Sequence, residues 1–317
     1  MSMHVVVVIV GYDNAADIAR CLASLENSTY RDFEIVICEN GGDASFSALR
    51  SAVPAILAGG QSVKLIKAPS NGGYAGGINL AMAESKGADA WWILNPDTEP
   101  SPNAMAALVE HLLRGYDAVG GPILFPWGEI QSFGGVWLTW RAKGILIGHG
   151  DPKGTKPDPG PIELRQNFLL GASMFVSRKF VNVTGPMAEH YFLYCEEVEW
   201  FLRATVRGMR LGFAPDAVVV HHQGTTTGYT RSLRSRSCRS VYLDERNKML
   251  MTRELFPGRL PIVAALAWYR LAGRYGRAGA LRQVAFGTFG WFMGLCGQSG
   301  APRWAQERSN SGGRHAA

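Results

Sequence analysis

The sequence predicts a doubly wound, mainly parallel α/β sheet flanked by helices, followed by a basic helical C-terminal region. Short apolar runs alternate with stretches of helical periodicity through the first hundred residues, and each run ends in a loop of Gly, Asn, Asp or Glu. Charge is divided along the chain: residues 1–225 hold 17 Lys and Arg against 22 Asp and Glu, and residues 226–317 hold 15 against 4. The net charge of +6 therefore comes wholly from the C-terminal part. With 47% hydrophobic and 18% charged residues, the 317-residue chain can bury a sizeable core. That composition excludes a disordered or fibrous protein, and the lack of a fixed-period repeat excludes solenoids and propellers.

Residues 5–10 form an apolar run that stops at Gly11 and reads as a buried strand; a basic start and a small-residue cleavage site, the marks of a secretory signal, are missing. A polar turn, 11–14, leads into a helix with Ile18, Cys21, Leu22 and Leu25 at helical spacing. A second strand, 33–38, ends at Glu39-Asn40-Gly41-Gly42-Asp43; a third, 62–68, ends at the Gly-rich segment 71–77; a fourth, 90–94, runs into Asn95-Pro96-Asp97-Thr98-Glu99-Pro100. Ligands of such sheets sit at the carboxyl ends of the strands, where these loops lie. Residues 118–126 and 134–147 read as strands of a less regular region, and 151–161, with four prolines, as a surface loop. Residues 166–176 read as an apolar strand, 196–207 as a helix, and 211–220 as a strand ending at His221-His222. One domain is expected to about residue 225, then basic helices to 306 and a disordered tail over 307–317.

Several side chains at these loops could carry chemistry. Glu39 ends a strand, where a carboxylate can accept hydrogen bonds from a base or ribose or can simply be a solvated turn acid. Segment 71–79 holds four glycines in nine residues, suited to close approach of a diphosphate or to a structural turn; it is neither a Walker loop nor a dinucleotide fingerprint. Asp97 and Glu99, one residue apart in an extended stretch, could both reach a divalent cation, and Pro96 could equally start a surface turn. Glu196, Glu197 and Glu199 are clustered among aromatic residues, where carboxylates are costly unless used, so one is a candidate general base; Glu199 and Arg203 could instead pair on a helix face. His221 or His222 could ligate a metal or simply cap or pack the strand end, and because neighbours in a strand point oppositely, at most one faces a site. Five scattered cysteines without a C-x-x-C pair indicate no disulfide framework or zinc cluster, which suits a reducing compartment.

Taken in order, these segments resemble an inverting family 2 glycosyltransferase with the GT-A fold, especially the bacterial rhamnosyltransferase-like members, over about the first 250 residues. VVVVIVGYDN resembles the opening strand and Tyr-Asn turn, IVICENGG the strand ending in an acid, NGGYAGGIN the Asn-x-Gly-aromatic-Ala-x-Gly-x-Asn segment, and LNPDTEP the D-x-D position. The block FLLGASMFVSRKFVNVTGPMAEHYFLYCEEVEWFLR resembles the acceptor side with its Glu-Asp pair, VVVHHQGTTT the terminal His motif, and YLDERNKMLM a following Tyr and Arg-Asn segment. Asn95 stands for the first acid of D-x-D, and Glu39 and Glu197 stand for Asp. The resemblance implies a nucleotide-sugar half over about 1–100 and an acceptor half over about 101–225. It also implies that Glu39, Asn71, Gly73, Asn79 and Asp97 bind the nucleotide sugar, and that Mg²⁺ or Mn²⁺ is held by Asp97 and His221, with Glu99 a further candidate ligand. Glu197 is the implied catalytic base, with Glu196 its closest competitor. The implied reaction moves a sugar, rhamnose for instance, to a hydroxyl of a glycan or lipid-linked acceptor. The rivals are a sugar-phosphate nucleotidyltransferase, whose Gly-rich Arg- and Lys-containing loop is missing after the first strand, and a carbohydrate or lipid-diphosphate binding protein without turnover.

The tail interleaves Arg with Trp, Tyr, Phe and Leu, which suits an anionic membrane surface or a phosphate-bearing acceptor better than nucleic acid; a plain basic helical subdomain is the alternative. The longest apolar stretch, 284–296, is broken by three glycines and is too short to span a bilayer. A cytoplasmic protein, peripheral on the inner face of the membrane, is therefore expected.

Overall fold

The computed structural model describes residues 3–222 and 232–306. The first half alternates as expected: β1 (Val5–Gly11), α1 (Ala15–Glu26), β2 (Phe33–Glu39), α2 (Gly42–Ala52), β3 (Val63–Lys67), α3 (Gly73–Ala83) and β4 (Ala90–Leu94). The chain continues through β5 (Thr98–Pro100), α4 (Ala104–Leu113), β6 (Ala118–Gly120), β7 (Ile123–Leu124), β8 (Ile130–Ser132), β9 (Gly135–Leu138), β10 (Lys143–Leu146), α5 (Pro159–Arg165) and β11 (Ser173–Ser177). Then come α6 (Arg178–Thr184), α7 (Glu196–Val206), β12 (Leu211–Phe213), β13 (Val219–His221), α8 (Cys238–Leu255), α9 (Leu260–Arg277), α10 (Leu281–Leu295) and α11 (Arg303–Gln306). The main sheet has the order β12-β6-β11-β4-β1-β2-β3. Strands β3, β2, β1 and β4 are parallel, and β11 runs antiparallel between β4 and β6.

Every residue of β1 is buried, as its unbroken Val and Ile run requires of a strand covered on both faces. Alternate side chains enter opposite layers. Val5, Val7 and Ile9 pack with Ile18 and Leu22 of α1 and Leu108 of α4, while Val6, Val8 and Val10 pack with Ile78 of α3 and Trp200 of α7. The second layer also takes in Met249, Leu250 and Met251 of α8 and Val263, Ala264 and Ala267 of α9, so the C-terminal helices share the apolar core of the sheet.

A smaller sheet, β5-β13-β7-β8, pairs His221 with Thr98 and thereby brings the His segment to the loop after β4. Several expected boundaries move. The strand read over 166–176 is confined to β11, because Gln166 and Asn167 turn their amides onto Gly212 O and the Trp137 backbone. The strand read over 211–220 is two, β12 in the main sheet and β13 in the smaller one, separated by a turn in which Ala217 N–H donates to Ala214 O. The proline-rich loop ends inside α5, capped by Asp158 with Pro159 in its first turn.

The Gly-rich segment is chiefly a helix, α3. Its Gly77 is needed for contact with the sheet, since a Cβ there would lie 2.6 Å from Val10 Cγ1. Glycine has the same use in α10. A Cβ on Gly290 would lie 2.2 Å from Tyr242 O, and one on Gly294 2.2 Å from Arg246 O, so the glycines that interrupt the apolar run form the seam along α8. Among the described residues, no helix is long and apolar enough to cross a membrane. The boundary expected near residue 225, the latter part of VVVHHQGTTT and the tail 307–317 lie outside the described residues.

Candidate active site

The first group of candidates lies at the carboxyl ends of β1 and β2, where the parallel register sets Gly11 level with Glu39. Glu39 is fully buried. Its Oε1 accepts from Gly41 N–H at 2.7 Å, Ser45 Oγ–H at 2.9 Å and Asp13 N–H at 3.3 Å. Its Oε2 is buried without a partner, and a Cβ on Gly11 would lie 2.3 Å from it. The acid thus orders the Asp13 and Gly41 turns from beneath. Asn40 donates to Gly73 O at 2.8 Å and joins the end of β2 to the start of α3.

Asn71 Oδ1 accepts from Gly73 N–H at 3.0 Å. Gly73 has φ +74° and would place a Cβ 2.0 Å from Phe192 O, which accepts from Tyr74 N–H at 2.9 Å. A side chain at position 73 is excluded by both conformation and contact. Asn79 is turned to the 187–189 segment: Nδ2 donates to Met187 O and Glu189 Oε1, each at 2.8 Å, and Oδ1 accepts from Met187 N–H at 3.0 Å. The Gly-rich segment therefore stitches the first half of the sheet to the 187–192 segment.

Asp97 and His221 meet as a buried pair, with Nε2 3.2 Å from Oδ1. His221 Nδ1 lies 3.0 Å from Gln131 Oε1 and Asn95 Nδ2 lies 3.4 Å from Nε2. When Gln131 accepts from Nδ1–H, the Nε2 lone pair of a neutral ring faces a carboxylate, an arrangement that a shared cation or proton stabilises. Glu99 takes another direction, against His222 Nε2 at 2.7 Å and Arg20 Nε at 3.3 Å. Among the described residues no three His, Cys, Asp or Glu side chains converge as a metal cage. The pair nevertheless fits a hard divalent cation that completes its shell with diphosphate oxygens and water, the usual habit of Mg²⁺.

On the other side, Phe192, Tyr194 and Cys195 all have positive φ, at 69°, 75° and 72°, in the turn that delivers Glu196 and Glu197 to the first turn of α7. The turn is held from α8. Asn247, fully buried, directs Nδ2 at the carbonyls of Tyr191, Leu193 and Tyr194 at 3.0, 2.8 and 2.7 Å, and Arg246 Nη2 donates to Tyr191 O at 2.8 Å. Glu197 stands beside Gly171, where a Cβ would lie 3.8 Å from its carboxylate and 3.7 Å from the Tyr74 ring. Tyr74 O–H donates to Gly171 O at 2.6 Å, and Ala172 O accepts from Asn95 N–H at 3.1 Å, which links this wall to the Asp97 loop. Burial, then the charges of Glu197, Glu196 and Asp97, pushes the Tyr74 hydroxyl well up. Burial and then Glu197 push Glu196 up to about 8, and burial raises Glu197 too.

The charges of Asp97, Glu196 and Glu197 thus all reach Tyr74, and His221 is paired with Asp97, while Glu99 and Asn79 are engaged elsewhere. Glu199 is buried and paired bidentately with Arg203, at 2.7 and 2.9 Å. Residues that sequence reasoning left without a role are Tyr74, Gln131, Arg246 and Asn247. For the last two, the signal available was the resemblance of YLDERNKMLM to a Tyr and Arg-Asn segment, which gave them a place but no role.

A family model described as glycosyl transferase family 2 matches residues 6–161. The chain is 26% identical over 248 residues to an N-acetylglucosaminyl-diphospho-decaprenol L-rhamnosyltransferase of Mycobacterium tuberculosis, covering 70% of this chain and 77% of that one. It is 25% identical over 259 residues to a low-salt glycan biosynthesis hexosyltransferase of Haloferax volcanii, covering 79% and 76%. Among solved structures, a Pyrobaculum calidifontis mannosyltransferase in complex with GDP-mannose and Mn²⁺ superposes with a TM-score of 0.56 at 17% identity, over 93% of this chain and 88% of that one. S. aureus TarS in complex with UDP-GlcNAc gives 0.55 at 14%, over 92% and 80%. The sheet order and these likenesses together make the chain a glycosyltransferase of the GT-A fold whose residues 6–161 match the glycosyl transferase family 2 model.

Proposed function

We propose that the chain transfers a sugar, rhamnose for instance, from a nucleotide diphosphate donor to a hydroxyl of a lipid-linked saccharide, with inversion at the anomeric carbon. The observation that carries this reading is that Glu197 lies beside Gly171, that Asn95 of the Asp97 loop donates its N–H to the adjacent Ala172 O, and that Tyr74 feels the charges of both Glu197 and Asp97. An inverting displacement needs a base on the attacking hydroxyl and charge stabilisation on the departing diphosphate, the roles that Glu197 and the Asp97 loop would take. Asp97 and His221 would hold Mg²⁺ or Mn²⁺, which when bound neutralises the diphosphate charge. Glu39 shapes the nucleotide pocket through Asp13 and Gly41. Asn71 and Gly73 fix the start of α3, and Asn79 holds the acceptor loop.

Glu196 and Glu197 divide the acid–base work through their different environments. Burial and the neighbouring charge raise the pKa of Glu196, and burial raises that of Glu197, so the pair holds a proton more tightly than free carboxylates do, and Glu197, beside Gly171 and Tyr74, is the member placed to take the acceptor proton. The lipid-linked acceptor is supported by the tail, where Ile262, Leu266, Trp268 and Tyr269 of α9 and Phe289 and Phe292 of α10 are exposed on a strongly basic segment, as suits the inner face of an anionic membrane. The diphospho-decaprenol named for the mycobacterial relative has this chemistry.

The test is transfer from dTDP-rhamnose to an N-acetylglucosaminyl-diphospho-polyprenol by the Glu197→Gln variant. Turnover is expected to fall by about 10² to 10⁴ with donor affinity, measured by calorimetry, unchanged. Near-normal turnover would remove Glu197 as the base.

A further inference from the structure

Beside the α8–α9 packing lies a cavity of about 450 Å³, within the range of small-molecule sites. Its wall carries Lys143 from β10, Lys248 from α8 and Arg270, Arg274 and Arg277 from α9, against the single carboxylate of Glu245. Glu245 is taken by Lys248 at 2.8 Å, and Lys248 is also 3.0 Å from Asp244. Among the described residues, no carboxylate lies within ion-pair distance of Lys143, Arg270, Arg274 or Arg277, so the cavity has a surplus of positive charge. Burial holds the Arg270 guanidinium below its ordinary pKa, with the charge of Glu245 offsetting part of the effect and that of Arg141 adding to it.

We propose that this cavity binds the phosphate or diphosphate of an amphiphilic acceptor, a site distinct from the donor diphosphate position at Asp97. The inference deepens, and rests on, the reading of a lipid-linked acceptor. Two further features select an amphiphile over a free anion. On α9 the arginines at 270, 274 and 277 follow one helical stripe, and Ile262, Leu266 and Tyr269 form the stripe beside it, exposed, with Tyr269 also lining the cavity. Exposed Ile145 and Trp140 continue the apolar rim on the β9–β10 hairpin, which is fixed to α9 by the hydrogen bond from Arg270 to Arg141 O. A head group in the cavity can therefore leave its hydrocarbon chain on an apolar surface. Lys248, which lines the cavity, is paired with Asp244, and Glu197 feels the charge of Asp244, an electrostatic link between this cavity and the proposed base.

The probes are farnesyl diphosphate, farnesol and inorganic pyrophosphate, titrated into the full chain in EDTA, and phosphatidylcholine vesicles containing phosphatidylglycerol. Farnesyl diphosphate is expected to bind, to be displaced by pyrophosphate, and to outbind farnesol. In the triple variant Arg270→Gln, Arg274→Gln, Arg277→Gln its affinity should fall by about tenfold or more, with the donor affinity unchanged. Asp97→Asn, altered at the donor position, should bind it normally. Equal affinity in the triple variant would overturn the cavity as the site and leave the lipid-linked reading standing. A loss confined to vesicle binding would make the arginines a bilayer contact and overturn the acceptor site. Failure of the unaltered chain to bind farnesyl diphosphate would overturn the site too, whereas failure of the broader reading would appear separately, as transfer to a neutral glycan in preference to the lipid-linked acceptor.

Discussion

Glu196 has one carboxylate oxygen, Oε2, buried without a hydrogen-bond partner, and an ionised carboxylate so placed would be costly. Its pKa is raised by burial and by Glu197 from an ordinary 4.5 to about 8, so the folded state binds a proton that the unfolded chain releases. The stabilisation is complete below about pH 4.5 and is lost as pH rises through about 8. Thermal unfolding of the chain should therefore fall in midpoint between pH 5 and 8, and Glu196→Gln should flatten that dependence; an unchanged slope would show that Glu196 is not the titrating group. The carboxylate cluster was legible in the sequence because acids among aromatic residues stand out. Their separate duties were not. Glu199 and Arg203 were expected at helical spacing, but whether the pair faced water depended on α6, whose Thr184 O takes a further hydrogen bond from Arg203.

At the scale of elements, the turn before α7 is the costly one, since left-handed conformations at Phe192, Tyr194 and Cys195 cost about 1 to 3 kcal/mol each when unsupported. Asn247 supplies the support through carbonyls of that turn. Asn247→Leu should lower stability by about 1 to 3 kcal/mol, read by urea unfolding, because buried carbonyls lose their donor. Amide hydrogen exchange over 191–197 should rise ahead of the sheet; uniform protection would mean that the turn holds itself. Periodicity revealed the alternating strands and α1 and α7, whose apolar faces follow directly from residue spacing. It could not reveal that an amide in α8 completes a turn far earlier in the chain, nor that 211–220 would divide between two sheets, because those depend on which segments meet in space. Gly73 and Gly77 were visible as glycines, and their use as contact points in α3 became apparent only from Phe192 and Val10 on the other side.

For the whole molecule, the division of charge is the feature most open to direct measurement. Exposed aromatic and aliphatic side chains of α9 and α10 on the basic segment should make the chain float with phosphatidylglycerol vesicles at low salt and be released as salt rises, because attraction between exposed charges is screened over about 10 Å at 0.1 M. Retention at high salt would mean that apolar insertion outweighs charge attraction, and no flotation at low salt would exclude membrane contact by this surface. Charge composition correctly marked out a basic helical region, but it could not disclose that α8 and α9 complete the apolar layer beneath α7. That shared layer bears on how such enzymes can be recombined. Exchanging the C-terminal helices between two relatives, in the hope of altering only the exposed basic surface, would also exchange the residues that clamp the turn before Glu196 and Glu197, so a chimera joined between β13 and α8 inherits that surface and the support of this turn from the same parent.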